Sequence, residues 1–288
     1  MSYQVIVNYD CHCGEGPYWH PLERCIYWND NQTKRFFRYD PTTGEHKIVY
    51  HDRTVAACTM QSDGTLLLYM DYSTVAVFRD GKIEPIIDGM PDEPYKESVL
   101  FNDVSADPKG RVYGGVWEPA KKLGKLYRID TDLSVKVMVE GVGCPNGIGF
   151  TADLKTMFFT DSVIRTIWAF DYDVETGDLA NQRPFVQLAE SDGMPDGMVM
   201  DSEGCLWSAL WDGSGVIRFS PEGKSIARLE LPARKITCPV WGGRDLTHMY
   251  ITSAGAQDKA ANGEAAGSLF RVNPGVTGVA DFHSRLGL

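Results

Sequence analysis

The chain has 288 residues, of which 43% are hydrophobic and 23% charged, the balance of a soluble globular protein. Its formal net charge of −11 argues against nucleic acid as a partner, because a phosphate backbone demands a basic surface. No apolar run approaches the roughly 20 residues that span a membrane, and MSYQVIVNYDCHC lacks the basic and apolar regions of a signal peptide. Seven cysteines, odd in number and dispersed, fit a reduced, cytoplasmic chain.

In chain order, YQVIVNY (3–9) comes first, as a spare strand expected to pair with the last strands and close the fold. A turn followed by a strand rich in Leu, Tyr, Phe and Trp then recurs at 21–30, 62–71, 107–117, 152–161, 202–211 and 244–254. A second unit follows each copy, with its aromatic at Phe37, Phe78, Tyr127, Phe170, Phe219 and Phe270. The intervals are 41, 49, 43, 49 and 51 residues, and alternation dominates over any helical period. Six such repeats, each holding several short strands, predict an all-β, six-bladed β-propeller spanning 1–288 as a single domain.

Counting eight residues back from the turn of each blade gives one recurring position. It reads Glu15, Ala56, Asn102, Asn146, Asp196 and Cys238, with the turn of the first blade set near Glu23 and that of the fourth at Leu154. The start of an innermost strand opens onto the central channel, so four oxygen-bearing side chains converge near its axis. Glu15, Asn146 and Asp196 are each followed by glycine, which lets the backbone crowd together. Two carboxylates and two amides without histidine suit Ca2+, Mg2+ or Mn2+ better than Zn2+. The alternative is a plug in which these groups satisfy one another or buried water.

The motifs GEGPYWHP, FNDVSADPKGRVYGG, PNGIGFTADLKTMFFTDS, PDGMVMDSEGCLWSALWDGSGVIRFSPEGK and CPVWGGRDLTHMYITSA together resemble the SMP-30/gluconolactonase/luciferin-regenerating-enzyme family across the whole chain. That resemblance implies a six-bladed propeller and a divalent-metal-dependent lactonase acting on a sugar or sugar-acid lactone. It implies Glu15, Asn146 and Asp196 as metal ligands, Asp196 also as catalytic base, and Asn102 beside metal and substrate. Asp103 and Glu118 are further candidates for substrate contact. The implied cofactor is one divalent cation, with Ca2+ first and Mg2+, Mn2+, Zn2+ or Fe2+ as alternatives. The implied setting is carbohydrate metabolism, with a small-molecule lactone as partner, no nucleic acid, no membrane, and a monomer or weak homodimer.

The chain departs from the family pattern at Leu100, where sugar lactonases carry an arginine two residues before the asparagine of Asn102-Asp103. Leucine offers no donors for substrate hydroxyls. Two rival functions stay open: a metal-dependent phosphoester or ester hydrolase, and a non-catalytic metal- or ligand-binding propeller. DYDVETGDL (171–179) starts like a calcium loop but has Gln182 where a glutamate is required, so it reads as a hairpin turn. Cys11-His12-Cys13 lacks a second ligand pair at finger spacing. Trp117, Trp207 and Trp211 are expected mainly to fill space between blades, with some walling the pocket.

Overall fold

A computed structural model describes residues 2–91, 93, 98–121 and 123–288. It holds six four-stranded antiparallel sheets. The first comprises Gly14–His20, Cys25–Asp30, Arg35–Tyr39 and His46–Tyr50. The second runs from Val55–Met60 to Lys82–Ile87, and the third from Leu100–Ala106 to Val135–Val142. The fourth runs from Pro145–Phe150 to Leu179–Gln187, and the fifth from Met194–Met200 to Ser225–Glu230. The sixth takes Lys235–Gly242, His248–Ala254 and Ser268–Val272, and its outer strand is Tyr3–Asn8. Tyr3 lies opposite Val272 and Asn8 opposite Ser268, so the two ends of the chain share one sheet and close the ring, as the spare strand suggested.

The six innermost strands contact one another in a closed circle, which defines a six-bladed β-propeller around a central channel. Burial follows position. The inner strand Val55–Met60 is buried throughout, whereas the outer strand Lys82–Ile87 exposes Lys82, Glu84 and Pro85. Five of the six repeated aromatics, all but Phe78, are buried among the blades.

Each inner strand passes to the next through a residue in the left-handed region: Arg24, Gly64, Gly110, Leu154, Gly204 and Leu246, with φ between 50 and 88°. Three repeats place glycine there at no steric cost, and the other three hold a larger residue by the surrounding turn. Leu154 does occupy the turn-glycine place. In the first blade that place is Arg24 rather than Glu23, so Glu15 stands nine residues before it, not eight.

The C-terminal residues cross the turn end of the channel. Gly278 bridges to Asp201, Ser284 Oγ meets Thr59 Oγ1 at 2.9 Å, and the Leu286 amide donates to Gln61 Oε1 at 3.0 Å. Among the described residues, no helix is long and apolar enough to cross a membrane.

Candidate active site

The site forms where the inner strands lose register. The ladder from each inner strand to its neighbour is interrupted between Glu15 and Tyr18, Val55 and Ala57, Phe101 and Val104, Asn146 and Ile148, Pro195 and Met198, and Ile236 and Pro239. A bulge leaves side chains unpaired and re-aims them. Here the side chains concerned are those that meet at the channel.

Matching the bulges blade by blade gives two levels. The upper holds Glu15, Ala56, Asn102, Asn146, Asp196 and Thr237. The lower holds Gly16, Ala57, Asp103, Gly147, Gly197 and Cys238. This corrects the eight-residue count in the sixth blade, which placed Cys238 on the upper level. The turn residue there is Leu246, nine residues after Thr237, and the Thr237 hydroxyl donates to the Gly14 carbonyl at 2.6 Å. Three of the lower-level residues are glycines because neighbouring backbone fills the space. A Cβ on Gly16 would lie 2.5 Å from the Ala56 carbonyl oxygen, and one on Gly147 would lie 2.8 Å from that of Asp196.

On the upper level, Asn102 Nδ2 donates to Asn146 Oδ1 at 2.8 Å and to the Pro145 carbonyl at 2.9 Å. Asn146 Nδ2 donates in turn to Ser162 Oγ at 2.8 Å, and Ser162 Oγ donates to the Pro195 carbonyl at 2.6 Å. These bonds fix both amides and leave Asn146 Oδ1 available as an acceptor. Glu15 is 5% exposed and Asp196 4% exposed. The Glu15 carboxylate accepts from the Gly16 amide at 3.3 Å.

Burial, then the charges of Asp196 and Asp103, push the Glu15 carboxyl well above the usual range. Burial, then Asp103, does the same to Asp196. Burial lifts Asp103 to about 7. Among the described residues, none of these three carboxyls forms an ion pair with a lysine or arginine. Three buried carboxyls facing one another without a cation are costly as anions. The carboxylate oxygens of Glu15 and Asp196, with Asn146 Oδ1, form a hard-donor set that fits a divalent ion.

A cavity of about 730 Å³ opens above Glu15, Asn102, Asn146 and Asp196, walled by Leu100, Trp117, Val163, Met194 and Trp211. The structure thus brings together four of the sequence-derived site residues and separates two. Asp103 faces away from this cavity and lines a smaller one deeper in the channel, beside Cys238 and Asp281. Glu118 is buried and does not line the mouth, and among the described residues its Oε2 has no hydrogen-bond partner. Strand alternation explains this: Trp117 and Pro119 face the cavity, so Glu118 between them does not. Trp207 is buried and donates Nε1 to Asp201 Oδ2 at 2.9 Å, while Trp117 and Trp211 wall the mouth.

Sequence reasoning missed the supports. Asp30 accepts from the amides of His12 and Cys13 at 2.9 and 3.1 Å, and Asp161 from those of Gly143 and Cys144 at 2.9 and 3.2 Å. Each fixes the chain two or three residues ahead of Glu15 or Asn146. Burial alone would raise Asp30, but hydrogen bonds from Thr33, Arg35 and those amides hold it below the ordinary aspartate value. The signal was in the repeats, where the WND and FTD segments of blades one and four end in aspartate.

A propeller whose channel mouth gathers buried carboxylates and amides beneath an aromatic-walled cavity belongs to a class that works on small molecules at the axis. The chain belongs to the SMP-30/gluconolactonase/LRE-like family, whose profile matches residues 13–255. It is 39% identical to pentonolactonase XacC of Haloferax volcanii over the full length of both chains. It is 30% identical to regucalcin of Oryctolagus cuniculus, covering 98% of each chain. Among solved structures it is similar to a luciferin-regenerating enzyme, with a TM-score of 0.90 and 28% identity over 99% of each chain.

Proposed function

We propose that the protein is a divalent-cation-dependent lactonase that hydrolyses a sugar-derived lactone to its hydroxy acid. The observation that carries this is the convergence of Glu15, Asp196 and Asn146 Oδ1 on the floor of the mouth cavity. The relative named as a pentonolactonase, matching over its whole length, supports the substrate class.

Glu15, Asn146 and Asp196 would hold the cation, and Ca2+ suits their all-oxygen donor set. When bound, it supplies Lewis acidity to a carbonyl oxygen and lowers the pKa of a coordinated water. The chain's residues supply the rest. Trp117 and Trp211 offer faces on which a small ring can lie, and Leu100 with Val163 and Met194 excludes water around it. Asp196 accepts a proton from the attacking water as its oxygen adds to the lactone carbonyl carbon. The tetrahedral centre then collapses, the ring C–O bond breaks, and the ring oxygen takes up a proton to become the product hydroxyl. At neutral pH the product acid ionises, so one proton is released per turnover. Asn102 stands beside the carbonyl site, with its amide aimed at Asn146. Leu100 removes the donors an arginine would bring, which favours lactones with fewer hydroxyls to satisfy.

The test is acid release over a panel of pentono-, hexono- and unsubstituted lactones, with simple phosphoesters and carboxylic esters alongside. Activity confined to lactones and abolished by a chelator is expected. A flat response on lactones, or faster turnover of the phosphoesters, contradicts the assignment.

A further inference from the structure

The lower level of the channel carries a second constellation, which shares Glu15 with the mouth and adds Asp103 and Cys238, two groups the lactone chemistry does not use. One carboxylate oxygen each from Glu15 and Asp103 and the sulfur of Cys238 lie within 4.8 Å of one another. They come from blades one, three and six, so the ring itself brings them together. We propose that Glu15, Asp103 and Cys238 form a second cation position beneath the mouth, one that takes a thiophilic divalent cation of the Zn2+ class.

Four observations support it. Asp103 is 8% exposed, and its carboxylate has no hydrogen-bond or ion-pair partner among the described residues. Its acceptor capacity is therefore unspent and directed at the cluster. Among the described residues, the Cys238 thiol has one long contact, 3.7 Å to the Pro239 carbonyl. Gly197 abuts Cys238 so closely that a Cβ there would collide with its sulfur, so the missing side chain at 197 is what leaves room for the thiol. Finally, Asp103 and Cys238 both line the deeper cavity of about 70 Å³, which has room for a water as a further ligand.

The donor chemistry separates the two positions. The mouth offers oxygen only, whereas the lower position offers two carboxylates and a thiolate. Ligand atoms of a tetrahedral zinc site with one sulfur stand about 3.6 Å apart, so modest side-chain rotation closes the cluster. Glu15 has two oxygens and can serve both levels, since carboxylate-bridged ions commonly sit about 3.5–4 Å apart. On binding, the sulfur–metal bond forms and the thiol proton leaves to solvent. This position does not depend on lactone turnover.

The test titrates the full-length, Ca2+-loaded protein with Cd2+ alone and follows the ultraviolet charge-transfer band of a thiolate–cadmium bond. One equivalent should saturate the band in the wild type. Cys238→Ser should abolish it, Asp103→Asn should weaken Cd2+ binding by about 10-fold or more, and Cys58→Ser, at the same cavity but outside the cluster, should leave it intact. A band that persists in Cys238→Ser, or no band in the wild type, overturns the proposal. The cadmium NMR shift of the wild-type complex gives a reading that needs no variant: one sulfur ligand is expected, and an all-oxygen shift refutes the site.

Discussion

Asn102 of the third blade donates its side-chain amide to the Asn146 carbonyl oxygen of the fourth at 2.8 Å. Ser162 holds the other end of Asn146, accepting from Nδ2 at the same distance. The oxygen offered to a cation is thus oriented by two groups that are not themselves ligands. Ser162→Ala should weaken cation binding by about 10- to 100-fold while the protein still folds. Calorimetric titration with Ca2+ measures it, and unchanged affinity would mean that Asn146 needs no such support.

Asp196 is given two tasks, holding the cation and taking the proton of water. Asp196→Asn keeps the shape and one oxygen but loses the charge and most of the basicity. Its kcat should fall by at least about 10³-fold, with weaker cation binding. If kcat survives at saturating cation, the base is another group.

Protonation and cation binding compete at this site. Burial and mutual repulsion raise Glu15 and Asp196, and burial lifts Asp103 to about 7. The folded, cation-free chain therefore keeps protons that the unfolded chain gives up near pH 4. The stability these groups contribute is full below about pH 4 and is lost as pH rises through their raised values, which for Asp103 is about 7. A cation replaces those protons, so the gain in Tm on adding Ca2+ should be roughly 5 °C or more larger at about pH 8 than at about pH 5. Equal gains at both would argue that Glu15 and Asp196 do not hold the cation.

Gly147 lies where blades four and five meet, and an added Cβ would press on the Asp196 carbonyl oxygen and on Met198. Because the obstacle is mostly backbone, Gly147→Ala should cost about 1–3 kcal/mol and displace Asp196. Thermal melts and cation titration of the variant measure the two effects. Loss of neither would show that the lower level is not tightly packed.

Leu100 sits in the mouth, opposite Trp117 across the strand pair. Leu100→Arg adds donors to an apolar wall. It should lower KM for hydroxyl-rich hexonolactones by about 10-fold and change KM for an unsubstituted lactone little. Matched changes on both substrates would place residue 100 away from the ring hydroxyls.

The blades and the ring closure were legible in the sequence because each repeat carries its own aromatic and its own turn. Asn102, Asn146 and Asp196 were legible for the same reason, since a count of eight from the turn finds them, whereas Glu15 was reached with its turn set one residue early. The count fails where chain length within a blade varies. The first blade carries Gly16 and Pro17 in its bulge, and the sixth delays its turn to Leu246. That one-residue slip put Cys238 on the wrong level. Asp103 and Glu118 were misplaced for a related reason: adjacent residues in a strand point opposite ways, and a sequence motif does not say which of two neighbours faces the mouth. Asp30 and Asp161 act through backbone amides, so their one signal in the sequence is the aspartate that ends the WND and FTD segments.

The most direct measurement follows one protein sample through three states: as purified, stripped by chelator, and refilled with Ca2+. Acid release from a pentonolactone and bound metal by elemental analysis are read in each state. The account predicts that activity disappears with the metal and returns in proportion to the ion bound at the mouth, and that Asp196→Asn recovers neither. Full turnover by the stripped protein would contradict it.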